Sequence, residues 1–376
     1  MTNKELFYFT GKCLMLDEDP EFRHEIYKTI AANDIEWQRF VALCSNHLVL
    51  PVIYLKFKKH GILEYVPEEL AEYLMEIYEL NLARNRQILI QLQEITTILN
   101  KSNIYPIFLK GAAHLLDELY SDIGERIMGD IDFLVPEKDY IPAARLLETD
   151  GYSLFPGSPV YFDIETSKHY PPISKPGSPA YLEIHRLLTE ESLSWFNTGI
   201  TDKEKIMVKA LSGSYVLSDH HKIIHNFVHS QLHHDGHTSG IVSFRDLYDL
   251  YLLSNRSSLE QALPDIKCRQ KAIAYFKLTG KAFGLDDNFC PGSNFTVWFF
   301  LKKHDLNIRS ASFYQINRIL VFIVNRVLVG HTSQIIKSFY SKKVRHSVIK
   351  RLTDRKWYRA HFRSYLDFFY RKSDKI

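Results

Sequence analysis

Asp130 and Asp132 stand one residue apart in Met128-Gly129-Asp130-Ile131-Asp132-Phe133-Leu134-Val135, and no other feature constrains the chain as strongly. Two acids flanking one apolar residue and running into Phe-Leu-Val read as the end of a β-strand. Residues i and i+2 on a strand share a face, so both carboxylates aim one way while Ile131 enters the core. Anions aimed at one point repel unless a cation sits between them. Mg²⁺ suits that place, being commonly held by one or two carboxylates plus substrate phosphates. Alone, Asp-x-Asp also describes a solvated edge strand; its surroundings raise it above that.

Upstream, Asn103 to Leu109 is a short apolar run after a polar break and reads as a buried strand. Lys110-Gly111-Ala112-Ala113-His114-Leu115-Leu116 then turns helical. Strand, lysine, glycine and helix start suit a phosphate: Gly lets backbone N–H groups approach, the helix N-terminus adds its dipole, and Lys110 adds a full charge. Neither a Walker loop nor a G-x-G-x-x-G fingerprint is present. Downstream, Ala180 to Leu188 reads as a further strand with Tyr181, Glu183 and His185 outward, opposite Leu182 and Ile184. Glu183 is then either a solvated strand end or a third ligand beside the first two acids.

Together the three pieces resemble the nucleotidyltransferase superfamily typified by DNA polymerase β, and more closely a bacterial family of uncharacterised nucleotidyltransferases. The signature stands here as Leu109-Lys110-Gly111-Ala112-Ala113, then Arg126-Ile127-Met128-Gly129-Asp130-Ile131-Asp132-Phe133-Leu134-Val135, then Glu183-Ile184-His185-Arg186. The resemblance is tight over residues 100–190 and looser in the flanks. It implies that Asp130, Asp132 and Glu183 hold two ions, Mg²⁺ or Mn²⁺, across a nucleoside triphosphate such as ATP. The ions would clamp the attacking and leaving oxygens of an in-line displacement at the α-phosphate. By family position Asp130 and Asp132 touch both ions, and Glu183 touches the catalytic one and helps deprotonate the acceptor hydroxyl. Lys110 and Arg126 neutralise the triphosphate, with Gly111, Gly129 and His185 of the same motifs counted among the nucleotide-binding residues. The wider superfamily has Gly-Ser or Gly-Gly where this chain has Gly111-Ala112, so a phosphate-touching serine is missing and Lys110 is its expected replacement.

At 376 residues and 45% hydrophobic, the chain can bury a substantial core in two or three subdomains. Cys13, Cys44, Cys268 and Cys290 are scattered without a C-x-x-C, which reads as reduced structural thiols in a cytoplasmic protein. Met1-Thr2-Asn3-Lys4-Glu5 does not open a signal peptide. The longest apolar run, Ile319 to Val324, is bounded by Arg318 and Asn325 and is too short to span a bilayer, so no integral membrane association is expected.

Residues 1–100 read as helices packed on the catalytic sheet and walling the nucleotide cleft; Arg84, Asn85, Arg86 and Gln87 face either that cleft or, the favoured reading, solvent. The Pro/Gly/Ser-rich stretch from Pro156 to Pro179 reads as an irregular excursion: an acceptor-selecting flap or a tolerated insertion. Further on, His221, His225, His229 and His233 recur at i+4 and stack on one helical face. Two such His can bind zinc, but H-E-x-x-H is absent and the cysteines are remote, so a cleft-lining helix is the expectation. His229 and His233 are its candidates for base or acceptor contact, and the family resemblance adds an Arg-x-x-x-Asp-Leu pattern seen around Arg245 to Leu250. Finally, residues 342–376 hold 12 Lys/Arg against 3 Asp within a chain of net charge +3. Interleaved with Trp357, Tyr358, Phe362, Tyr365, Phe368, Phe369 and Tyr370, this tail fits a packed amphipathic helix, a nucleic-acid surface or an anionic membrane contact.

The resulting expectation is an α+β protein. A small mixed-sheet nucleotidyltransferase core at 101–190 lies between helical regions at 1–100 and 191–376. Its expected activity is metal-dependent transfer of NMP from an NTP to an acceptor hydroxyl on a small molecule, RNA or protein, with release of pyrophosphate. A toxin-like role resembles Lys-Gly relatives, and tRNA would then be the acceptor. The alternative is a catalytically inactive nucleotidyltransferase fold that binds an NTP or a partner.

Overall fold

A computed structural model describes residues 1–155, 167–190, 193–197, 204–285, 289–290, 292–355 and 359. Residues 156–166 of the expected flap and the aromatic residues of the tail from Trp357 onward lie outside the described residues. The architecture is α+β, as expected.

Among the described residues, seven short strands form one mixed sheet. They are β1 (Ile107–Phe108), β2 (Asp130–Leu134), β3 (Ser153–Leu154), β4 (Ile173–Ser174), β5 (Tyr181–His185), β6 (Lys205–Met207) and β7 (Tyr215–Leu217). Their order is β3-β4-β5-β2-β1-β7-β6, so two strands come from beyond residue 190. β2 runs antiparallel to β1 and parallel to β5, with Asp130 opposite Tyr181 and Asp132 opposite Glu183. Alternation does the rest. Ile131, Phe133, Leu182 and Ile184 are fully buried on one face, and the acids turn to the other.

The long helix Glu68–Asn100 backs that apolar face. Its C-terminal half places Ile88, Leu92, Ile95 and Leu99 at three- and four-residue spacing, all fully buried in one cluster with Ile131 and Phe133. Burying each such side chain contributes about 1.5–3 kcal/mol. The helices Asn3–Leu14, Pro20–Ala31, Trp37–Asn46 and Leu50–Lys59 do not cover the sheet as expected. They share a second apolar cluster with the helices Asp219–Phe227, Phe244–Ser254 and Arg269–Phe283, where Phe7 stacks on Phe244 at 4.4 Å. The reason is geometric: the apolar face of the sheet is already occupied by Glu68–Asn100.

Along the same long helix Arg86 and Gln87 are exposed, as a solvated face requires, but Arg84 and Asn85 turn inward. Asn85 is fully buried, and its Nδ2 donates to the carbonyls of Ile123 and Arg126 at 2.5 and 3.0 Å. Asn81 donates to Gly124 O at 2.7 Å, while Arg84 reaches the carbonyls of Met128, Gly129 (3.3 Å) and Pro179 (3.0 Å). The segment between Lys110–Leu116 and β2 lacks a strand partner of its own, so its buried carbonyls require side-chain donors. These polar residues therefore fix the approach to Asp130.

A second correction concerns the C-terminal region. The apolar run Ile319 to Val324 sits inside a continuous helical stretch, Ala311–Tyr340, of 30 residues. Its most apolar 18-residue window has a mean hydropathy of 1.6 and is 0% buried, so by length and composition it is long enough to cross a membrane. A six-residue run understated it because Arg318 and Asn325 do not end the helix.

Replacing Asn85 with Ala should leave two buried carbonyls without donors and destabilise the fold by about 2 kcal/mol. Urea unfolding of the purified variant reads that loss; an unchanged midpoint would remove Asn85 from the tethering role.

Candidate active site

The polar face of the sheet gathers the acids and the lysine at one place. β1 ends at Phe108, and Lys110 opens the helix Lys110–Leu116 with φ of 48°, in the left-handed region that a β-carbon residue adopts at a cost. That turn directs its Nζ onto Asp132 Oδ1 at 2.8 Å. His185 Nε2 lies 2.8 Å from the same oxygen and 3.7 Å from Glu183 Oε2. Asp132 is almost wholly buried. Burial alone would raise its carboxyl, but the Lys110 charge and the His185 hydrogen bond outweigh this and hold it well below the usual range. Burial likewise opposes ionisation of Lys110, and the Asp132 and Asp130 charges reverse the effect and raise it. Glu183 follows the same logic: burial raises it, the His185 hydrogen bond outweighs that, and the net direction is downward.

Asp130 differs from its neighbour. Burial, followed by the Asp132 charge, pushes its carboxyl up to about 6. Its nearest hydrogen-bonding neighbour is Tyr181, whose hydroxyl is 3.5 Å from Oδ2. Lys110 and His185 both bond to Asp132 and not to Asp130, so the mutual repulsion of the carboxylates is felt most at Asp130. That repulsion, with an all-oxygen acid set plus one imidazole, fits a hard divalent cation. Asp132, Glu183 and His185 offer donor atoms within 4.8 Å of one another, the only such group of three among the described residues. Asp130 stands beside this group, two residues along the same strand face.

Other expected site residues are placed differently. Arg126 is buried, and its Nε and Nη2 donate to Asp249 Oδ1 and Oδ2 at 2.9 and 2.7 Å. Tyr120 donates to the same Asp249 Oδ1 at 2.7 Å. A phosphate would have to share the guanidinium with this carboxylate. Gly111 has a steric reason of its own: a Cβ there would lie 2.4 Å from Arg126 Nη1 and 3.0 Å from Met128 Cβ. At Gly129 a Cβ would meet nothing within 4 Å.

The histidine row lies across the cleft. Asp219–Phe227 continues as a π-helical turn, Val228–His233, and keeps His225, His229 and His233 side by side, with ring centroids 6.2 and 5.9 Å apart. His229 Nε2 is 3.1 Å from His234 Nε2, and His233 Nε2 is 2.9 Å from Lys168 Nζ. Burial, then the Lys110 charge, holds His225 down to about 3 and His229 well below its usual value, so both are neutral. His221 instead pairs with Ser218, and His237 stacks on Phe300 at 4.9 Å. Lys110, His225, His229, Arg245 and Asp246 line one cleft.

Sequence reasoning did not single out Lys168 and His169 as site residues, nor settle the register of Asp249. His169 packs on His185 with ring centroids 5.3 Å apart, and burial followed by the Lys110 charge lowers Lys168. Both lie in the Pro-rich excursion, where no periodicity assigns a side. Asp249 is the acid of the Arg-x-x-x-Asp-Leu pattern that faces Arg126.

Asp249→Asn should destabilise the fold by about 3–5 kcal/mol, because Arg126 would remain buried without its counter-charge. Burial opposes ionisation of Asp249, but Arg126 outweighs it and holds the carboxyl below its ordinary value of 3.8. The stabilisation is therefore full above that pH and is lost as pH falls below it. Urea titrations should show the gap between wild type and variant narrowing on acidification.

No curated protein and no solved structure matches the chain. A family model described as an uncharacterised nucleotidyltransferase matches residues 33–284, which include the sheet, the acid cluster and the histidine row. The chain belongs to this nucleotidyltransferase family.

Proposed function

We propose that the protein is a metal-dependent transferase that moves a nucleoside monophosphate from an NTP to an acceptor hydroxyl and releases pyrophosphate. The observation that carries this reading is the register of β2 and β5. It sets Asp132 opposite Glu183, and the left-handed turn after β1 brings Lys110 Nζ onto Asp132. Asp130, Asp132 and Glu183 would hold the divalent cations, two in number by analogy with other phosphoryl-transfer sites. When bound, the cations would neutralise charge on the triphosphate and on the oxygens exchanged at phosphorus.

The chain's own residues supply the rest. His185 orients Asp132 through Nε2, as second partners commonly fix a ligating carboxylate. Lys110 is shared between Asp132 and an arriving phosphate, so its charge stays in the site when the triphosphate enters. Glu183, held ionised, accepts the proton of the acceptor hydroxyl as its oxygen forms the new bond to the α-phosphorus. The bond from that phosphorus to the bridging oxygen breaks, and pyrophosphate leaves with the electron pair. Arg245 lines the cavity beside Lys110 and adds a second cation for the departing phosphates. Four free thiols suit a cytoplasmic enzyme, the compartment we infer for it.

Incubating the protein with each α-labelled NTP, Mg²⁺ and cell extract fractions should yield a labelled acceptor and pyrophosphate. Glu183→Gln should lower that rate by at least about a hundredfold with an unchanged circular-dichroism spectrum. Full transfer by the variant would remove Glu183 from the reaction.

A further inference from the structure

The C-terminal helices lie beyond the family match, which ends at residue 284. The proposed transfer leaves them without a role. They expose more apolar surface than a solvated helix needs. The stretch Ala311–Tyr340 is held to the protein along one face. Tyr314 is buried, Asn317 Nδ2 donates to Asn307 Oδ1 at 3.0 Å and to Ser239 O, and Asn325 Nδ2 donates to Asp235 Oδ1 at 2.7 Å. Its opposite face presents Ile316, Leu320, Val324 and Leu328, between 43% and 58% exposed. Phe339 follows at 71%. A row of aliphatic side chains this open marks a docking face.

Charge selects the occupant. The helix Lys342–Thr353 comes next and packs on His331–Tyr340, so a basic segment is fixed beside the apolar row. That helix carries Lys342, Lys343, Arg345, Lys350 and Arg351 and no acid, whereas the chain before it carries 35 Lys/Arg against 41 acids. Aliphatic surface flanked by localised positive charge is complementary to an anionic lipid bilayer, which takes hydrocarbon below its headgroups and cations among them. The exposed row Ile316, Leu320, Val324 and Leu328 offers no ring on which a base could stack, so it suits hydrocarbon rather than RNA. A spanning arrangement conflicts with the ties of Tyr314, Asn317 and Asn325 to the globular part, and the apolar stretch also carries Arg326 at its middle.

We propose that the face of Ala311–Tyr340 bearing Ile316, Leu320, Val324 and Leu328, with the basic segment after it, docks the protein onto the surface of an anionic membrane. The helix lies in the plane of the interface rather than crossing it. Both the apolar row and the charge contribute, as membrane-surface helices require.

Vesicle flotation of the full chain tests this. The protein should float with phosphatidylcholine vesicles containing phosphatidylglycerol and remain at the bottom with phosphatidylcholine alone. Raised salt should weaken the association. The double variant Leu320→Glu, Leu328→Glu alters only exposed positions, so its thermal midpoint should match wild type while its partition into anionic vesicles falls at least about tenfold. Absence of flotation with anionic vesicles, or equal flotation of the double variant, would overturn the proposal. So would self-association or RNA binding of the wild type that the double variant loses while vesicle binding persists, because the face would then serve another copy or a nucleic acid.

Discussion

The site depends on one buried carboxylate. Asp132 lies between apolar neighbours of a central strand, where an unpaired charge would be very costly, and it is ionised only because Lys110 and His185 both reach the same oxygen. Each of those partners is placed by a different element. Lys110 is turned inward by a left-handed backbone at the end of β1, and His185 closes β5. The sheet therefore cannot settle its register without also assembling the cluster. In turn, Glu183 and Asp130 are drawn close enough for their charges to matter, and the repulsion is felt most at Asp130. A cation relieves that repulsion, which links the strand pairing to the chemistry proposed for it.

Around this centre the protein uses two kinds of support. The apolar face of the sheet rests on Ile88, Leu92, Ile95 and Leu99 of one long helix, and the polar residues of that helix tether the irregular segment leading to Asp130. On the other side, the buried Arg126–Asp249 pair joins the segment before β2 to the C-terminal helices. Removing either partner would strand a charge in the interior, so the pair works as a latch between the sheet and the helical region that carries the histidine row.

The acid cluster was legible in the sequence because strand alternation has a period of two: residues 130, 132, 183 and 185 had to share a face once the strands were drawn. The polar side of Glu68–Asn100 was not. Arg84 and Asn85 look like solvent-facing residues to any periodicity argument, and what buries them is an irregular segment more than thirty positions downstream. Arg126 and Asp249 were similarly opaque, since their pairing spans 123 residues. In the Pro-rich excursion, Lys168 and His169 had no pattern to mark them. The length of the helix through Ala311–Tyr340 was missed because interrupting polar residues were read as ends, whereas Asn317 and Asn325 are the points at which it is fastened.

Asp130, Asp132 and Glu183 are proposed to form a cation-dependent triphosphate site. Calorimetric titration of each NTP into the protein, with and without Mg²⁺, addresses this directly when repeated on Asp130→Asn, whose side chain accepts one long hydrogen bond, from Tyr181 at 3.5 Å. Such a site should show saturable binding of at least one NTP that requires Mg²⁺ and is lost in the variant. Binding that is indifferent to Mg²⁺, or retained by Asp130→Asn, would contradict it.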